Sequence, residues 1–96
     1  MSTSNKQAYQ AKLQAQLDEW SANIDALEAK ARQADAQARI DLQADIDTLK
    51  TYQHQAEAKL AELKTAGDQA WQDLKQGIEQ AHDNLKRALQ AATDRF

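Results

Sequence analysis

The sequence contains no cysteine, no proline and no valine, and it carries only two glycines and five aromatic residues in 96 positions. Each absence removes a class of structure or chemistry. Without cysteine there is neither a disulfide framework nor a thiolate metal site, and a reducing compartment is permitted. With proline and valine missing and 20 alanines and 14 glutamines present, the vocabulary is that of helix formers, because Ala loses no side-chain entropy in a helix and Gln loses little. A β-sheet is not expected. Gly67 and Gly77 stand alone, so no glycine-rich phosphate loop exists. No stretch approaches the roughly 18 consecutive apolar residues of a spanning helix, and the opening M-S-T-S-N-K-Q-A-Y lacks the apolar run of a secretion signal. A cytoplasmic location is expected.

A dominant charge is missing too. Fifteen acidic and twelve basic residues are interspersed for a net charge of −3, which argues against nucleic acid as a partner and makes an anionic membrane a poor one. The equipment of an enzyme is equally sparse. Serine occurs only at positions 2, 4 and 21, and neither histidine has a motif around it, so no nucleophile, base and orienter can be named. Catalytic residues and cofactors are not expected.

What the chain does have is one long stripe of apolar or small residues. It runs Leu13, Leu17, Trp20, Ile24, Leu27, Ala31, Ala34, Ala38, Leu42, Ile46, Leu49, Gln53, Ala56, Leu60, Leu63, Gly67, Trp71, Leu74, Ile78, Ala81, Leu85, Ala88, Ala92 and Phe96. The mean step is about 3.6 residues, the pitch of an undistorted α-helix. Three blocks keep a strict alternation of three and four: Leu17 to Ala38, Ile46 to Gly67, and Trp71 to Ala92. Extra four-residue steps between blocks are stutters, and each either unwinds a coiled coil locally or marks a turn.

Residues 38 to 46 offer no Gly, Pro, Asn or Ser, so continuous helix is expected there. Gly67 differs: it can take the left-handed conformation that ends a helix, and Asp68 can cap the next one. Thr65 is the rival cap. The spacing therefore predicts one all-α domain over residues 1–96, with a helix from about 5 to 65, capped by Ser4 or Asn5, a turn at 66–68 and a helix from about 68 to 95. The architecture expected is a helical hairpin or antiparallel coiled coil within a dimeric bundle; a three-helix bundle or a single continuous helix are the alternatives.

A hairpin of this kind has unequal arms. The second helix would cover only residues near 38 to 64, leaving Leu13, Leu17, Trp20, Ile24 and Leu27 to be covered by a second copy. A homodimer follows, the more so because so short a chain buries a small share of its surface. The alanines at 29, 31, 34, 36 and 38 form the weakest stretch of core, each giving up on the order of 2 kcal/mol of burial relative to Leu. Glu28 with Arg32, Asp35 with Arg39, and Asp83 with Arg87 are acid-before-base pairs four apart, read as a solvated face.

Few residues suggest chemistry. Glu79 and His82 form the E-x-x-H spacing of di-metal carboxylate bundles, but a single copy whose Glu79 points away from the Trp71, Leu74, Ile78 and Leu85 face does not make a site. His54, near Glu57, reads as a surface histidine. Gln53 sits on the seam between Leu49 and Ala56, either as a buried amide that fixes register or where the seam opens to water. Trp20 and Trp71 read as core before ligand platforms, and Tyr9 and Tyr52 as core with their hydroxyls reaching solvent.

Two stretches carry a likeness. Y-Q-A-K-L-Q-A-Q-L-D-E-W-S-A-N-I-D-A-L-E-A-K-A (Tyr9 to Ala31) and A-W-Q-D-L-K-Q-G-I-E-Q-A-H-D-N-L-K-R-A-L-Q-A-A-T-D-R-F (Ala70 to Phe96) resemble the small bacterial coiled-coil stress-response proteins of about a hundred residues. That group pairs an early Q-L-D-E-W with a late A-W-x-D-L-K-x-G and a terminal R-F, and here His82 stands where a further tryptophan is expected. The resemblance covers about half the chain in specific wording. It implies a stress association and helical self-assembly, with no catalytic residues to carry over; the function expected is that of a non-enzymatic interaction protein with protein clients. The Ala/Gln/Glu/Lys pattern is also similar to exchangeable apolipoprotein repeats, although the proline punctuation of those repeats is missing. The alternative function, supported by the straight 3.6-residue period, is a peripheral lipid-surface protein whose hairpin opens and lays its stripe in the membrane interface.

Overall fold

The computed structural model describes residues 2–67 and 70–95. Among them are three α-helices and no strand: α1 (Ser2–Gln33), α2 (Ala36–Thr65) and α3 (Ala70–Arg95). The chain thus turns twice, and the expected helix from 5 to 65 is corrected to two. The three-helix bundle holds; the two-helix hairpin and the single continuous helix do not.

The unexpected turn lies at Ala34 and Asp35, four residues ahead of the stutter that had been read as helix interior. It uses no glycine and no positive φ. Asp35 has an extended backbone (φ −68°, ψ 171°) and its carboxylate accepts from the Ala38 amide at 2.9 Å, which satisfies one of the unpaired donors at a helix start. Arg39 closes the other side, donating to the carbonyls of Arg32 at 3.1 Å and Ala34 at 3.2 Å. Asp35 and Arg39 therefore cap two helices instead of forming a surface ion pair. Little burial is forfeited, because the chain breaks in its alanine-rich stretch.

At the second turn α2 ends on Thr65, whose hydroxyl donates back to the Glu62 carbonyl at 3.2 Å. That excludes Thr65 as a cap for α3. Ala66 leaves in an extended conformation (φ −75°, ψ 146°), and Gly67 does not take the left-handed conformation expected of it. The Trp71 amide donates to the Gly67 carbonyl at 3.2 Å. Asp68 and the stripe's last residue, Phe96, lie outside the described residues. The first helix starts at Ser2, ahead of the expected cap at Ser4 or Asn5.

The body measures 53 × 19 × 17 Å. Helix α2 runs antiparallel to both neighbours and is the spine against which each packs. Leu13, Leu17, Ile24, Leu27, Leu49, Leu60, Leu63, Trp71, Ile78 and Leu85 form one buried cluster, with Trp20 and Leu74 half-buried against it, and Ile46 is fully buried as well. Each buried aliphatic side chain is worth about 1.5–3 kcal/mol relative to exposure. Leu13 to Leu27 are thus covered by α2 and α3 of the same chain, which removes the overhang that had called for a second copy. Glu28 pairs with Lys50 across to α2 at 2.9 Å instead of with Arg32, while Asp83 and Arg87 do pair, at 3.0 Å. No helix is long and apolar enough to cross a membrane among the described residues.

Candidate functional site

Helices α1 and α3 lie on the same side of the spine and run parallel. They meet mainly through aromatic side chains long enough to span the gap. Tyr9 reaches Trp71 with ring centroids 5.6 Å apart, and its hydroxyl donates to Glu79 Oε1 at 3.1 Å. Lys75 Nζ sits 5.4 Å from the centre of the Tyr9 ring. Farther along, Trp20 packs on His82 at 5.5 Å and a tilt of 56°.

Between these contacts lies a groove of about 480 Å³, lined by Tyr9, Lys12, Leu13, Gln16, Glu19 and Trp20 from α1 and by Glu79, His82, Asp83 and Lys86 from α3. It continues past Trp20 and Lys86 into a second depression of about 440 Å³ with Asn23, Leu89, Gln90 and Thr93 on its walls. The floor is aromatic and aliphatic; the rims are charged.

His82 is the groove's most constrained polar residue, with 5% of its surface accessible. Its Nδ1 lies 3.2 Å from the Ile78 carbonyl, so the geometry assigns the neutral tautomer with Nδ1 as donor. Nε2 is enclosed without a hydrogen-bond partner. Burial lowers the imidazole pKa from its ordinary 6.5, and the Ile78 and Leu13 carbonyls offset that only in part. The Tyr9 phenol is pushed up to about 12, by burial first and then by its hydrogen bond to Glu79 and that carboxylate's charge.

Glu79 stays at the surface while His82 turns under Trp20, so the E-x-x-H pair is not brought together as ligands. Among the described residues no three His, Asp or Glu side chains converge. His54 is exposed and Tyr52 half-buried. Trp71 is buried, its Nε1 unpaired, and offers no platform; Trp20 keeps an accessible edge. Gln53 is half-buried and donates to Ser21 Oγ at 2.6 Å, an α1 to α2 link that also occupies one of the three serine hydroxyls. Ile40 on α2, 66% exposed, is the large hydrophobic side chain left outside among the described residues.

Reading the stripe alone missed His82 and Leu89, both buried on α3. The signal was present: Trp71, Ile78, His82, Leu85 and Leu89 are separated by seven, four, three and four residues, a column beside the one traced. The arrangement sets an apolar floor between charged rims. No protein-family model, no curated protein and no solved structure matches this chain.

Proposed function

We propose that this chain is a non-enzymatic helical interaction protein that engages a protein partner along the α1–α3 groove. The stress-response role is the one implied by the resemblance of its two ends. The observation that carries the reading is the groove itself: an aromatic floor at Trp20 and His82 inside alternating rim charges. An apolar strip between charged rims is a surface against which the amphipathic helices of a partner can lie.

The lipid-surface alternative is less favoured, because the same apolar stripe is spent on the bundle's interior and the three helices would have to part before meeting a bilayer. A bacterial strain lacking the gene should survive stress less well than its parent. A variant carrying Trp20→Ser and Lys86→Glu, verified as helical by circular dichroism, should fail to restore survival. Full rescue by that variant would contradict the reading, and co-flotation of the wild-type chain with vesicles, with loss of the Trp20 contact, would favour the lipid alternative.

A further inference from the structure

Four charged side chains frame the α1–α3 groove, and their signs alternate. Lys12 and Glu19 stand on the α1 rim, Glu79 and Lys86 on the α3 rim, all exposed and all bordering the same depression. In each helix the two are seven residues apart, so each pair lies along one line about 10 Å long. The Trp20 contact with His82 and the Tyr9 hydrogen bond to Glu79 set the register between the helices. Lys12 is therefore roughly level with Glu79 at one end of the groove, and Glu19 with Lys86 at the other. None of the four is ion-paired with another described residue. The nearby Asp83 is already held by Arg87.

A square with alternating signs at its corners is complementary to a second copy of itself. Rotation about a twofold axis lying in the plane of the groove, along or across the helices, places every positive corner on a negative one. The axis along the helices would align all the rim helices in one direction, with their macrodipoles parallel. The axis across them sets each helix antiparallel to its own copy, which the dipoles favour. That second axis passes between His82 and Asp83, the midpoint of α3 (Ala70–Arg95), so the whole helix overlaps its copy.

We infer, resting on the interaction reading above and naming its partner, that two copies of this chain associate antiparallel across the α1–α3 groove. Lys12 faces Glu19 of the second copy, Glu79 faces Lys86 of the second copy, and the rims close over Trp20. Each ion pair occurs twice. Exposed ion pairs are individually weak and screened by salt, so the dimer is concentration-dependent and loosens as salt is added.

Sedimentation equilibrium on the full chain at low salt tests this. The wild type should dimerise, and Lys12→Glu, which sets carboxylate against carboxylate twice, should weaken the dimer by about tenfold or more. Adding Glu19→Lys to that chain should restore association, whereas adding Glu79→Lys should not, because that exchange suits the axis along the helices. Circular dichroism on each variant confirms that the bundle is intact. A wild type that stays monomeric at the highest attainable concentration, or rescue by Glu79→Lys in place of Glu19→Lys, would overturn the assignment. If the wild type is monomeric yet groove variants lose stress survival, only the second copy is wrong; if groove variants survive like the wild type, the interaction reading itself falls.

Discussion

On its α2 side, helix α1 is fastened at four levels: Lys6 to the carbonyl of Ala66 at the C-terminal cap of α2, Gln14 to Lys64 at 3.3 Å, Ser21 to Gln53 at 2.6 Å, and Glu28 to Lys50 at 2.9 Å. Among the described residues its α3 side has one side-chain hydrogen bond, from Tyr9 to Glu79, and two ring contacts separated by a groove. The first seam joins helices adjacent in sequence, which a short turn brings together at little entropic cost. The second joins the two arms of the spine, and only side chains as long as Tyr and Trp close it. The sequential seams make the fold; the seam between the arms leaves a groove open at the surface.

If that division is right, damage to the spine should outweigh damage to the arm-to-arm seam. Leu63→Ala, at a fully buried position on α2, should cost about 3 kcal/mol in urea or thermal unfolding; a loss comparable to that of a surface substitution would break the comparison. The seam should instead respond to pH. His82 has a folded pKa below its unfolded value of 6.5, so below 6.5 the unfolded chain binds the proton more readily than the native one. His82 therefore takes nothing from stability above pH 6.5, and stability is lost as pH falls from there through the folded pKa. Urea melts at pH 7.5 and 5.5 should show a drop in the wild type that is smaller in His82→Phe. An equal drop in both would remove His82 from the account.

Two smaller effects sharpen the contrast. Asp35→Ala should cost about 1 kcal/mol by removing the cap of α2, measurable as a lowered melting midpoint, and Asp35→Asn should recover most of it. Tyr9→Phe should cost about 0.5 kcal/mol, since it removes one exposed hydrogen bond and keeps the ring against Trp71. A larger loss than at Asp35 would mean that the arms are bound more tightly than the groove implies.

The sequence made the all-α class and the buried stripe legible, because Leu and Ile at a 3.6-residue period admit few other readings. It misplaced the first turn, because that turn is made by side chains already accounted for otherwise. Asp35 and Arg39 have the spacing of a helical ion pair, and only the folded chain shows the carboxylate on the Ala38 amide and the guanidinium on the carbonyls of Arg32 and Ala34. The groove was less visible still. Lys12, Glu19, Glu79 and Lys86 look like ordinary solvated charges until two helices 60-odd residues apart in sequence are set side by side. His82 was hidden by its own polarity, which kept it out of a stripe traced through apolar residues.

The fold-back of α1 onto α2 is what creates the spine, the parallel arms and the groove together. A pulsed-EPR distance between spin labels at Ala22 and Thr51, diluted with unlabelled chain so that only one copy is read, measures it directly. The bundle predicts a separation below about 20 Å, set by neighbouring helix axes 8–10 Å apart plus the labels' own reach. A helix unbroken at Asp35 would hold the labels about 44 Å apart, and that result would contradict the account.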